Sequence, residues 1–202
     1  MSLQPTLSFL CLGDPSAPHS LEFYIDFQCP FSAKIFFNAI DPILKPTFSD
    51  SGKYARKVRI ILRLQPQPWH ACSAFLHEAA LAVGRVAPTH FWEYVAILFK
   101  NQEAFFNVPT SSLTPLQVRE KLVALAPAGV DKSKVQDLLT HKTTPNGGID
   151  VADDLKYNIK IGRQNGIHVT PTAVWDGLTA NEVSSSWGKE EWDKFLSSKI
   201  LV

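Results

Sequence analysis

Cysteine is scarce in this chain. The three present, Cys11, Cys29 and Cys72, are too few and too scattered among 202 residues for a disulfide-stapled secreted scaffold. A reducing, cytoplasmic setting is expected instead. Neither sign of charge is in excess: 20 Lys and Arg against 19 Asp and Glu leave a formal net charge of +1, which gives no electrostatic reason to expect nucleic acid or an anionic membrane surface as partner. No window approaches the roughly 18 consecutive apolar residues of a membrane helix. No basic residue precedes the apolar patch at residues 7–12, so the charged start of a secretory signal is missing. His19, His77, His90, His141 and His168 lack the spacing to cysteine or carboxylate partners that a zinc site needs, and no bound cofactor is expected. The 45% hydrophobic content with 13 Phe supports one sizeable core, or one core plus a packed insertion. Small, roughly neutral ligands or protein thiols fit such a chain best.

The chemical centre lies at residues 21–32. Leu21, Phe23, Tyr24, Ile25 and Phe27 make an apolar strand that runs into Gln28, Cys29, Pro30, Phe31 and Ser32. Pro30 suits the first position of a helix, where its missing N–H costs nothing. A thiol at that junction sits where the free N–H groups of a helix converge, and the positive end of the helix favours thiolate over thiol. Cys29 is therefore a candidate nucleophile. The position three further on is Ser32, so Cys29 cannot close a disulfide there. The Ser32 hydroxyl could instead donate a hydrogen bond to the sulfur.

Periodicity places the other elements. Residues 7–12 suggest a short edge strand, and residues 31–44 a helix that Pro42 and Pro46 should bend or stop early. Val58, Ile60, Leu62 and Leu64 alternate with Arg59 and Arg63 in a second strand, giving a strand–helix–strand unit with parallel strands. Helices are expected at 71–83, 89–100, 115–125 and 132–140, with Thr114 and Asp131 as caps, and no strand signal interrupts them. A helix at 151–164, a strand at 167–175, an Asp176–Gly177 hairpin turn, a short strand at 178–181 and a helix at 189–199 complete the chain.

This order, with residues 24–32 at the first strand–helix junction and Gly166, Ile167, His168, Val169, Thr170, Pro171 and Thr172 before the hairpin, resembles the DsbA-like thioredoxin superfamily. The resemblance spans about residues 7–198. It implies an α/β thioredoxin-like fold, a central mixed sheet flanked by helices, with residues 1–65 plus 150–202 as the thioredoxin-like domain and 66–149 as an inserted all-helical domain. It also implies a cis bond before Pro171, opposite Cys29, that turns the Thr170 backbone toward the sulfur and leaves it able to pair with an extended peptide or glutathione. Disulfide oxidases of that family carry a second cysteine where this chain has Ser32. The implied activity is therefore thiol-disulfide exchange through a single cysteine, with glutathione as cosubstrate and a small thiol or a protein disulfide as substrate. The alternatives are a glutathione-dependent transferase or isomerase of the kappa or 2-hydroxychromene-2-carboxylate type, and a peptide-binding module without catalysis.

Parallel strands place their C-terminal ends on one edge, so the loop at 65–72 is expected beside Cys29. Trp69 could wall a substrate groove and His70 could pair with the thiolate. Substrate contacts are thus expected from Pro30, Phe31, Trp69, His70, Thr170 and Pro171, and chemistry from Cys29 and Ser32. Asp26 could move protons, although a carboxylate near a strand end more often faces water. Cys72 more often behaves as a small buried hydrophobe than as a distant resolving thiol.

Overall fold

Alternation in the first long strand sorts its side chains to two faces of a sheet. The structure, a computed structural model, describes residues 3–200; the outermost bounds of the expected domain division, residues 1–2 and 201–202, lie outside the described residues. Five strands, β1 (Cys11–Leu12), β2 (His19–Ile25), β3 (Val58–Leu64), β4 (Thr172–Trp175) and β5 (Leu178–Thr179), form one mixed sheet in the order β1-β3-β2-β4-β5. β2 and β3 run parallel with Leu21 beside Ile60 and Ile25 beside Leu64, and the other neighbours are antiparallel. Leu21, Phe23 and Ile25 enter the main core, while Tyr24 packs with Ile167 and Val174 on the opposite face. That second face is not purely apolar. Arg63 Nε lies 2.6 Å from Glu22 Oε2 with both side chains fully buried, and Asn158 Oδ1 accepts the Leu64 N–H at 3.3 Å.

Helices α1 (Pro30–Ile35) and α2 (Lys45–Phe48) are joined without a break by a π-helical stretch at Phe36–Leu44. The helix therefore passes through Pro42 and Pro46 instead of stopping early. Lys45 N–H reaches back five residues to the Ile40 carbonyl, and this wider turn accommodates the missing proline donor. The start of the chain also departs from expectation: Pro5–Leu10 is a 3-10 helix and the edge strand is confined to Cys11–Leu12. Phe9 lies against Gly84, where a Cβ would sit 2.3 Å from its ring. A bulkier residue at 84 would displace that segment.

Between β3 and α8 (Ala152–Gln164) the described chain is helical, with α3 (Ser73–Val86), α4 (Phe91–Lys100), α5 (Asn107–Thr110), α6 (Pro115–Ala124) and α7 (Lys132–Leu138); α9 (Lys189–Lys199) closes the fold. Thr114 and Asp131 cap α6 and α7 through their side-chain oxygens. These helices share the core of the sheet. Phe99 on α4 packs at a tilt against Phe27 and Phe36 with ring centroids 5.1 and 5.3 Å apart, and Gln28 and Gln102 side-chain amides donate across to the Phe105 and Phe27 carbonyls at 2.5 and 2.9 Å. The helical segment is thus tied to the chain immediately before Cys29.

Candidate active site

Cys29 is the residue at which extended backbone becomes helix. It precedes α1, with Pro30 in the first turn, and its carbonyl accepts the Ser32 and Ala33 N–H groups at 3.0 and 3.2 Å. The side chain is 6% exposed yet stands outside the main apolar cluster. Its sulfur lies 3.2 Å from the Thr170 carbonyl oxygen, and the Thr170–Pro171 peptide bond is cis. Because a carbonyl only accepts, the hydrogen bond between them uses the thiol proton. A group that removes the proton is therefore required. Ser32 does not play the part expected of it: fully buried, its hydroxyl accepts the Asp26 N–H at 3.2 Å, and the described residues show no hydrogen bond from it to Cys29. Its contribution is to fix the turn between Asp26 and α1.

Asp26 overturns the expectation that it faces water. It is fully buried, and four donors fill its two oxygens: Gln28 N–H at 2.8 Å and Ser73 Oγ at 2.6 Å on Oδ1, Gln67 N–H at 2.8 Å and His70 Nδ1 at 2.7 Å on Oδ2. His77 Nε2, also fully buried, stands 3.8 Å from Oδ1. Burial alone would raise the Asp26 pKa, but His77, Ser73 and His70 together hold it well below the usual carboxylate range. The missed signal is the pair Ser73 and His77, four residues apart and therefore together on the otherwise apolar buried face of α3. Two polar residues on a buried helical face need a polar partner.

The loop after β3 meets the loop after β2, as parallel strands require. His70 bridges the buried carboxylate and the surface, and it lines a cleft of about 420 Å³ with Gln28, Pro30, Phe106, Asn107 and Val108. Asp26 Oδ2 accepts from Nδ1, which leaves Nε2 as the ring nitrogen not engaged by the carboxylate. On its other side His70 shares a second groove, of about 530 Å³, with Trp69 and His168. Phe31 is 61% exposed, Trp69 59%, Val108 85% and Val169 50%, so the loops that carry the site expose large apolar side chains. Of the residues expected to form the site, Cys29 and Thr170 touch, Pro30 and His70 share the cleft, Trp69 lines the second groove, and Phe31 is exposed next to Pro30 in the chain. Cys72 is buried in the core with Sγ 3.4 Å from Thr110 Oγ1, and all three cysteines are free.

A thioredoxin family model matches residues 7–197. A structure described as a candidate protein-disulfide isomerase from Pseudomonas syringae is similar at 24% identity and a TM-score of 0.74, over 95% of this chain and 99% of that one. DsbA of Chlamydia trachomatis is similar at 21% identity and a TM-score of 0.63, over 98% and 93% of the two chains. Oxidised BdbD of Bacillus subtilis is similar at 19% identity and 0.61, over 99% and 97%. No curated protein matches the sequence.

Proposed function

We propose, from the premise that this chain belongs to the thioredoxin family and carries the DsbA-type fold, that it is a thiol-disulfide oxidoreductase working through Cys29 alone. The observation that carries this reading is a cysteine at a helix start, facing the Thr170 carbonyl beside a cleft lined by a carboxylate-bound imidazole, with serine at position 32. The Cys29 thiolate attacks the glutathionyl sulfur of a glutathione mixed disulfide, forming a Cys29–glutathione disulfide and expelling the other sulfur as a thiolate, which takes up a proton. An external thiolate, glutathione in a reducing cytoplasmic setting, then attacks the glutathionyl sulfur. It leaves oxidised glutathione and restores Cys29. His70, on the cleft that Pro30 lines, is the base assigned in this reading to remove the Cys29 proton and return it to the departing thiolate, with Asp26 Oδ2 orienting its ring through Nδ1.

Incubation with oxidised glutathione followed by intact-mass measurement and peptide mapping tests the reading. One glutathione on Cys29 is expected. Noncovalent glutathione binding with no adduct points to a transferase or isomerase, and neither result leaves a peptide-binding module; both overturn the proposal.

Two variants probe the chemistry. His70→Gln is expected to slow adduct formation by roughly tenfold near neutral pH, at or below the low end for general acid–base catalysis because a thiolate leaves easily. The rate should recover at high pH, where hydroxide takes the proton; a uniform loss at every pH would assign His70 a packing role. Ser32→Cys supplies a resolving thiol one helical turn from Cys29. It is expected to convert the lasting adduct into an internal disulfide with release of glutathione, whereas persistence of the adduct would show that position 32 cannot reach the sulfur.

A further inference from the structure

The groove on the far side of His70 is built differently from the cleft beside Pro30. Arg163 and His168 line it together with Gln65, Gln67 and Trp69, and no Asp or Glu does. Among the described residues the Arg163 guanidinium enters no ion pair. Arginine stays charged at every relevant pH, and its planar fork matches a carboxylate. A second observation is independent of that charge: Gln67, 4% exposed, forms part of the groove wall and its Nε2 donor is buried without a partner. The same wall holds the Gln65 Oε1 acceptor, also buried without a partner, so beside the Arg163 cation the groove suits a ligand that carries a carboxylate together with an N–H donor, as a peptide does.

We infer that this groove holds a carboxylate of the thiol substrate while its sulfur engages Cys29. The inference rests on the monothiol reading above and adds the substrate class: an anionic, glutathione-sized disulfide. The chain itself sets the distance. His168 in the groove is two residues from Thr170, whose carbonyl lies 3.2 Å from the Cys29 sulfur. Two residues span at most about 7 Å, and each carboxylate of a glutathionyl group lies roughly two residues' reach from its central sulfur, so a group bonded to Cys29 extends toward the groove. In the step concerned, the Cys29–glutathione S–S bond forms, the S–S bond of oxidised glutathione breaks, and one glutathione leaves as thiolate and is protonated. Arg163 takes no part in the electron flow and acts on binding alone.

The test compares adduct rates on the full chain for three probes: oxidised glutathione, the same disulfide esterified at both glycine carboxylates, and the form esterified at all four carboxylates. The native protein is expected to prefer oxidised glutathione over the fully esterified form, and Arg163→Gln to reduce that preference about fivefold, the size of one partly exposed charge pair. Arg163→Lys should restore part of it, and added salt should reduce it in the native protein. Loss of preference with the glycine ester assigns the glycine carboxylate, and loss only with the full ester assigns the γ-glutamyl one. Equal rates for all three probes, or an unaltered preference in Arg163→Gln, overturn the inference while leaving Cys29 chemistry standing. Failure of every probe to form an adduct brings down the monothiol reading and this inference with it.

Discussion

Cys29→Ser is expected to abolish glutathione adduct formation and to lower any disulfide-exchange rate by at least about a hundredfold. The substitution replaces sulfur by oxygen in nearly the same space, so the hydroxyl can still donate to the Thr170 carbonyl where the thiol lay 3.2 Å away. The fold should survive, with a Tm within a few degrees of the native protein. What disappears is an atom able to form a disulfide. Neither remaining cysteine replaces it: Cys72 is in the core against Thr110, and burial pushes the Cys11 thiol up. Measurement of adduct mass and of turnover with a small disulfide and glutathione decides the matter. Retained turnover in the serine variant would move the chemistry elsewhere.

Asp26→Ala is expected to cost about 3–5 kcal/mol of stability, the size of a broken buried charge network. Its carboxylate is the common acceptor for Gln28, Gln67, His70 and Ser73, and truncation orphans all four donors at once. For a chain of this length that corresponds to a Tm about 10 °C lower. The dependence on pH has a definite sign. The Asp26 pKa is depressed in the folded state, so its contribution is complete above the unfolded value of about 3.9 and is lost as pH falls through the folded value. The stability gap between native protein and variant should therefore be widest near neutral pH and shrink well below pH 4. Urea unfolding at pH 7 and pH 3 measures it. A gap below about 1 kcal/mol at pH 7 would mean that the four donors find other partners.

These two residues also mark what the sequence discloses. Cys29 is legible because its signals are local: an apolar strand before it, proline after it, and a helical stripe beyond. β3 and α9 appear over Val58–Leu64 and Lys189–Lys199 as their periodicity indicates, and the Asp176–Gly177 turn has positive φ at both residues, as a tight hairpin demands. Asp26 is illegible for the opposite reason. Gln67, His70 and Ser73 lie 41, 44 and 47 residues away, so no window reports that a carboxylate at a strand end is enclosed. The passage of the helix through Pro42 is hidden likewise, since the local rule for proline describes α-helical turns and this stretch is π-helical. Ser32 shows a third kind of limit: its place in the motif is plain, but which neighbour its hydroxyl serves depends on the backbone N–H of Asp26.

Reactivity of the three thiols, read in one experiment, bears most directly on the central claim. Exposure alone would put Cys11 first, because it is half-buried while Cys29 and Cys72 are nearly enclosed. Limited alkylation of the native protein with iodoacetamide near neutral pH, followed by peptide mapping, ranks them. Modification of Cys29 ahead of Cys11 by about tenfold or more is the expected result for a thiol activated by its helix start and by His70. Cys11 reacting first, with Cys29 no faster than Cys72, would contradict it.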